Sequence, residues 1–506
     1  PPPIISRRSR GFMEYDRRQV MSRETRLRLR EEVRDMFIHA YDGYMEYAFP
    51  AGELLPLSCR PGYMNLAKVP MITLVDTLDT LAIMGSAFEF RRAVGLVSES
   101  LNLNLDVDVS VFETNVRMLG GLLSAHMLAA DPSLGLYGGA NGEKGGRGKS
   151  VEEVYRGELL TLAEDLGRRL LPAFDTPTGI PYGTVNLKKG VPPGETVEAS
   201  VAGAGSLTLE FSVLSALTGD GRFAEAAEGA VKAMFTRRSP VLGLVGKHIN
   251  TATGRWTEAD SGIGPNGDSF FEYLIKMYVL WGDVEYWDMF MHTYSSIQRF
   301  LREGDWYANV DMTSGTPHRR RFENLMAFWP GMQTLVGACR LRARLTKAGR
   351  DLTQASRGLN AFYLVWRDWG FLPEQMDYRG WQLDQMEGAD YPLRPELIES
   401  TLLVYRATGD PSWLWAGKDF LSSLRVMPRS RRGTEHDTDS TITKCGYAAV
   451  TDVRTGILEE QMPSFFLAET LKYLYLLFDE DNFLHKGNYI FTTEAHPFSI
   501  PAIRRG

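Results

Sequence analysis

The stretch "PLRPELIES", Pro392 to Ser400, sets Glu396 and Glu399 three residues apart at the head of an apolar segment. Side chains three apart lie on one helix face, and proline suits the first helical position. Pro395 is therefore expected to open a helix from which both acids project together. Acids in a first turn ordinarily complement the helix dipole from solvent, but similar acids in apolar surroundings recur elsewhere. Glu113 and Arg117 stand four apart in "VSVFETNVRMLGGLLSAHML", a pair whose plain explanation is a structural ion pair. Gly120-Gly121 follows and narrows that helix, as if something packs close by. Asp268 begins the apolar run "DSFFEYLIKMYVL", where an N-cap is the ordinary reading, and Glu272 one turn on strengthens it. Glu469 falls inside "PSFFLAETLKYLYLLF", one turn after Phe465, an aromatic that is core by default and a sugar-facing ring as the sharper option.

Several acids at helix starts or inside apolar helices are what a carboxylate-lined cavity needs, with one group giving a proton and another taking one. The terminal "YIFTTEAHPFSIP" adds Thr493, Glu494 and His496 to a β-like stretch. The eight histidines are scattered with no HExxH or comparable pair, which argues against zinc or iron. A hard, oxygen-ligated cation is the remaining metal option, and Thr493 offers it a hydroxyl and a carbonyl. His496 alone reads as a satisfied structural histidine. The Gly-rich "NGEKGGRGKS" lacks the first glycine of a phosphate loop, Glu143 standing in its place, and reads as a mobile surface loop.

Helical patterns in succession must position these groups. "LSALTGDGRFAEAAEGAV", "YVLWGDVEYWDMF" and "VYRATGDPSWLWAG" share one design: Gly219, Gly282 and Gly409 close one helix, and Asp220, Asp283 and Asp410 help start the next. Similar breaks fall at Gly85-Ser86, Asp131-Pro132 and Gly349-Arg350-Asp351, for roughly a dozen or more helices by 3.6-residue periodicity. Alternating β patterns are short: Tyr182 to Leu187, Trp306 to Val310 and Tyr447 to Val453. With no linker and no shift in composition, one repeating α architecture is expected, either a barrel of helix pairs or a solenoid.

A chain of 506 residues, 44% apolar, is long enough for two or three domains or one large closed architecture. A net charge of −7 and basic clusters confined to Pro-, Gly- or Ser-rich stretches ("RRSR", "HRRR", "RSRR") argue against a nucleic-acid partner. No run approaches the roughly 20 consecutive apolar residues of a membrane span, so no span is expected. Of three cysteines, Cys339 sits in a helical pattern as a buried thiol, while Cys59 and Cys445 lie in loops and are open to pairing.

Taken in order, "VDTLDTLAIMG", "FETNVRMLGGLLSAH", "GDSFFEYLIK", "PLRPELIES", "FFLAETLKYLYLLF" and "TTEAHP" resemble the class I α-1,2-mannosidases, glycoside hydrolase family 47. "AFWPGMQ", "CGYAAVTDVRTG" and "GFLPE" resemble its ER degradation-enhancing α-mannosidase-like branch, including the fungal members. The resemblance implies an all-α fold, an (α/α)7 barrel over residues 23–500 plugged by a C-terminal β-hairpin, with 1–22 an extension and 501–506 a tail. It implies Ca2+ held through the carbonyl and side-chain oxygens of Thr493, with waters held by Glu210, Glu399, Glu469 and Glu494. It further implies Glu113 as general acid working through a water, Glu396 as general base and Asp268 as a third catalytic carboxylate. Arg117 and Arg394 would orient substrate hydroxyls, Phe465 would face the apolar side of the sugar, and Cys59 would pair with Cys445.

Two departures stand out: Glu323-Asn324 where mannose-trimming relatives carry Asp-His, and Pro463 where they carry a glutamate. No Asn-X-Ser/Thr sequon occurs. The expected function is a calcium-dependent inverting exo-α-1,2-mannosidase. It would trim high-mannose N-glycans on misfolded glycoproteins in the endoplasmic reticulum lumen, with a protein disulfide isomerase as associate. The competing reading is a mannose-binding receptor that holds glycans without turnover.

Overall fold

The computed structural model describes residues 19–137, 154–343, 348–383, 387–425 and 441–500. Among these, the long helices divide by how much of their circumference is apolar. Ile72–Ile83 buries all twelve of its residues and Leu471–Phe478 all eight, whereas Ala87–Ser100 buries only Phe90, Ala93, Val94 and Val97. A helix buried all round belongs inside and one with a single apolar stripe outside, and the contrast is sharpest for these three, since the inner Glu396–Thr408 is buried only in part.

The inner helices are Ile72–Ile83, the composite segment from Val111 to Ala130, Thr208–Thr218, Asp268–Trp281, Trp329–Arg342, Glu396–Thr408 and Leu471–Phe478. Each packs on the next, and the turn Phe466–Thr470 returns to Ile72–Ile83 to close the ring. Ala87–Ser100, Glu158–Leu170, Arg222–Thr236, Val284–Phe300, Ala348–Trp369, Ser412–Arg425 and Arg23–Tyr47 back them, one outer helix to each inner one. This is an (α/α)7 barrel, the closed member of the two architectures the pattern allowed.

The helix-hairpin turns form as the sequence predicts. Gly219, Gly282 and Gly409 take positive φ (76°, 79° and 66°), a conformation cheap only for glycine, and end their helices. Asp220, Asp283 and Asp410 each accept the N–H two residues on, at 3.2, 2.9 and 2.9 Å. The break expected at Gly349 to Asp351 lies earlier, since Ala348–Trp369 already contains those residues in its first turn.

The strands pair into small sheets of two or three, including Thr184–Asn186 on Asp108–Ser110 and Ala449–Asp452 on Ile457–Glu459. "HRRR" lies on and between two strands rather than in a loop; His318 meets Asp260 at 2.7 Å and Arg320 meets Glu303 at 3.0 Å. "NGEKGGRGKS" lies outside the described residues, as do the clusters "RRSR" and "RSRR".

The last hairpin pairs Tyr489–Phe491 with Pro497–Ser499 and packs against Asp268–Trp281 on one side and Gly120–Ala130 on the other. Lys472 Nζ donates to the Ala495 carbonyl (2.8 Å), Lys276 Nζ to that of Thr492 (3.3 Å) and Ser124 Oγ to that of Pro497 (3.2 Å), which fixes the hairpin as a plug. The two glycines after Arg117 are explained by this packing: a Cβ on Gly120 would stand 2.7 Å from the His496 ring, and one on Gly121 2.6 Å from the Val75 carbonyl.

Cys59 and Cys445 form a disulfide with Cα atoms 5.8 Å apart. Cys339 is half-buried, not the fully buried thiol expected, because its helix ends at Arg342 near the protein surface. Val201–Thr218 is apolar enough to qualify as a span by length and composition, but it is largely buried in the inner ring.

Candidate active site

The barrel holds a cavity of about 400 Å³ lined by Glu113, Arg117, Asp268, Arg394, Glu396, Phe465, Glu469, Thr493 and Glu494. Residues nearly 400 positions apart thus meet in one place. Glu210 and Glu399 are buried behind the lining rather than on it.

On one wall the inner helix departs from α geometry. Ser110 accepts the Glu113 N–H (3.2 Å) and so starts the helix at Val111, and Thr114–Leu119 then winds as a π-helix. A second π turn, Phe466–Thr470, carries Glu469. Such turns widen a helix and re-aim its side chains, and they concentrate at functional sites. Arg117 Nε donates to Glu113 Oε2 at 3.0 Å, while its Nη1 donates to Glu494 and to Ser464 Oγ (3.2 Å) and lies 3.6 Å from Asp76. The Arg117 guanidinium also stands 5.6 Å from the centre of the half-buried Phe465 ring.

The opposite wall uses helix starts. Asp268 is the first residue of its helix and not the N-cap, a place taken by Gly267; its Oδ1 accepts the Ser269 N–H at 2.8 Å. Pro395 occupies the N-cap and Glu396 the first helical position, one residue later than expected. Arg394, just before, is gripped by both oxygens of Glu374 at 2.5 and 2.9 Å. Glu396 Oε2 is buried with no hydrogen-bond partner. Burial, the largest cause, pushes Glu396 up to about 7 against the opposing pull of Arg394, and burial likewise pushes Asp268 up to about 7.

At the floor, Tyr273 OH donates to Glu210 Oε1 (2.6 Å), Asn115 Nδ2 donates to Glu210 Oε2 (2.9 Å), and the Thr493 N–H donates to Tyr273 OH (3.4 Å). Glu399 lies a turn inward of Glu396, in the field of the buried Lys276–Glu272 pair. Burial raises Glu210 to about 7 and both Glu399 and Glu494 to about 8; Glu469 rises well above its ordinary range, by burial and then by Glu494, Glu396 and Glu399. These acids are raised first by burial, and the groups there that could ligate a cation, Thr493 and the surrounding carboxylates, offer oxygen. That donor set fits a hard dication. Among the described residues no three His, Cys, Asp or Glu side chains stand together as a direct chelate. A cation here would depend on Thr493 and on waters held by the surrounding acids.

Below Arg117 runs a buried chain that sequence reasoning missed. Asp76 lies 3.2 Å from His496 Nε2, His496 Nδ1 meets Asp79 at 2.7 Å, and Asp79 meets Lys472 at 2.6 Å. His496 is structural, as expected. Burial opposes its charge, but Asp79 and Asp76 prevail and lift it to about 9. Asp76 and Asp79, three apart in the apolar "VDTLDTLAIMG", carry the same signal as Glu396 and Glu399. Glu374 also went unassigned, with "GFLPE" serving only as a mark of likeness.

The sequence pattern of glycosyl hydrolase family 47 matches residues 36–500. Alpha-mannosidase I MNS4 of Arabidopsis thaliana is 46% identical over 478 residues, 93% of this chain and 70% of that protein. ER degradation-enhancing alpha-mannosidase-like protein 2 of Homo sapiens is 42% identical over 494 residues, 94% of this chain and 78% of that protein. The solved alpha-1,2-mannosidase from Trichoderma reesei superposes with a TM-score of 0.79 at 27% identity, over 94% of this chain and 99% of that one. A toroid of paired helices, a plugged base and a single acid-lined cavity therefore belong to a chain that is a member of glycoside hydrolase family 47, an α-mannosidase of the ER degradation-enhancing-like kind.

Proposed function

We propose that the chain is a calcium-dependent, inverting exo-α-1,2-mannosidase that trims high-mannose N-glycans on misfolded glycoproteins in the endoplasmic reticulum lumen. One observation carries the reading: Glu113, Asp268 and Glu396, from three different inner helices, face one cavity whose floor holds Thr493. Inverting hydrolysis needs an acid on the leaving-group side and a base across the sugar, with room for a water between them. Glu113, oriented by Arg117, is the acid and acts through a water. Glu396, raised to about 7 and with its Oε2 free of any hydrogen-bond partner, is the base that takes the proton of the attacking water. Asp268, the third carboxylate, faces the same side, and Arg394 is held by Glu374 in position to orient hydroxyls. Phe465 packs on the apolar face of the mannose.

Thr493 would hold calcium, with Glu210, Glu399, Glu469 and Glu494 fixing its waters. Bound calcium supplies a fixed positive charge on which two hydroxyls of the terminal mannose are held. A protein disulfide isomerase is the proposed associate, near the Cys59–Cys445 bond. High-mannose glycoprotein incubated with the purified protein, with and without calcium, tests the reading by the mass of the released glycans and the anomer first formed. Loss of mannose only with calcium, appearing as the β-anomer, is expected; α-mannose or no release overturns it.

A further inference from the structure

Glu323, half of the departure Glu323-Asn324, has no part in the site described above, yet it stands against the turn that delivers Asp268 to the cavity. That turn spans residues 262–267. The Gly264 carbonyl accepts the N–H groups of Gly267 and Asp268, both at 3.1 Å, and so fixes where the Asp268 helix starts. Asn266, held at φ 69°, gives its carbonyl to the Ala202 N–H (2.8 Å) and lines the cavity beside Pro265. Two glycines of this turn are each met by a buried side-chain oxygen that has no hydrogen-bond partner. A Cβ on Gly264 would stand 2.7 Å from Glu323 Oε2 and 3.1 Å from Met326, and one on Gly262 would collide with Asn309 Oδ1. Each oxygen thus takes the space before a glycine Cα–H, a weak donor, and buried oxygens with nothing better are rare in folded proteins.

Glu323 is itself anchored. Its strand, Arg321–Glu323, pairs with Gln375–Asp377, and the next N–H, that of Asn324, donates to the Glu374 carbonyl at 2.8 Å. Glu374 is the residue that grips Arg394. Glu323 therefore connects the Arg394 clamp to the Asp268 turn. We propose that Glu323 is a positioning residue for Asp268: the length of its side chain props the Gly264 turn where it sets the Asp268 carboxylate in the cavity. The inference rests on the reading of Asp268 as a catalytic carboxylate.

Substitution separates length from charge. Glu323→Ala and Glu323→Asp withdraw the oxygen from Gly264 and are expected to lower kcat about tenfold to a hundredfold with KM within about twofold, since a small displacement of a reacting group costs the chemical step. Glu323→Gln keeps the length and should restore most of kcat. Gly264→Ala crowds the same space and should also lose kcat, while Gly264→Ala combined with Glu323→Ala should recover to at least the level of Glu323→Ala alone. Should Gly264→Ala not fold, the three Glu323 variants decide. The proposal is overturned by parent-like kcat in Glu323→Ala, by a loss in Glu323→Gln equal to that in Glu323→Ala, or by losses that simply add in the double variant; a fall in melting temperature with kcat unchanged marks a purely structural role and overturns it too. Asp268→Asn separates the two readings: if it turns over normally, the role of Asp268 fails whatever Glu323 does, and if it is inactive while Glu323→Ala keeps the parent's kcat, only the Glu323 inference fails.

Discussion

The two walls of the cavity treat their arginines in opposite ways. Arg117 is shared among Glu113, Glu494 and Asp76, so the acid on that wall touches its cation directly. Arg394 is taken up by Glu374, so Glu396 and Asp268 feel its charge without a bond to it. A carboxylate locked in an ion pair is a poor base, because its charged form is already stabilised. Placing Glu374 on Arg394 therefore leaves Glu396 basic, while placing Arg117 on Glu113 orients the opposite group.

The largest expected effect comes from removing the proposed base. Glu396→Gln should lower kcat by about a thousandfold, within the range for loss of a general base, while glycan binding measured by calorimetry persists. Turnover that survives would shift the role of base to Asp268.

Next comes the floor that both walls share. Glu210, Glu399 and Glu494 have folded values of about 7, 8 and 8, above the ordinary carboxylate range, so the folded state binds their protons better than the unfolded chain does. That stability is fully present below about pH 4.5 and is lost as pH rises through 7 to 8. Cation-free protein should therefore melt lower at about pH 8 than at about pH 5. Calcium at a hundredfold excess over its Kd should return about 2.7 kcal/mol at the higher pH and far less at the lower, read by calorimetric melting.

Glu374→Gln sharpens the comparison by making the Arg394 wall resemble the Arg117 wall. Arg394 is then free to pair with Glu396, so the acid limb of kcat/KM should move about one unit to lower pH, with a maximum about tenfold lower. An unmoved limb would mean that Glu374 only packs. The smallest effect lies away from both walls: Asp283→Ala removes the cap of an outer helix and should cost about 1 kcal/mol in denaturant unfolding, with kcat/KM unchanged.

The helix hairpins were legible because they rest on local chemistry. A glycine at positive φ and an aspartate two residues before a free N–H are satisfied within one turn, so Gly282-Asp283 reads the same in sequence and in space. The helix start that carries Glu396 was legible for the same reason, whereas Glu399 lies behind the cavity lining that Glu396 joins. The register was not: Asp268 is a first helical residue and Pro395 an N-cap because the incoming loops decide where a helix begins. The π turns at Thr114–Leu119 and Phe466–Thr470 carry no local signature, since both occur in runs that would wind equally well as α-helix.

By itself the sequence determined the succession of helices, their hairpin turns, and the presence of acids in apolar runs, because each depends on neighbours a few residues away. Tertiary structure alone decided that the ring closes, that His496 sits against Gly120, and that Arg394 binds Glu374 and not Glu396. Those outcomes set which charges share a low-dielectric space. The energy of a buried charge depends on partners brought from hundreds of residues away, and no local pattern encodes it.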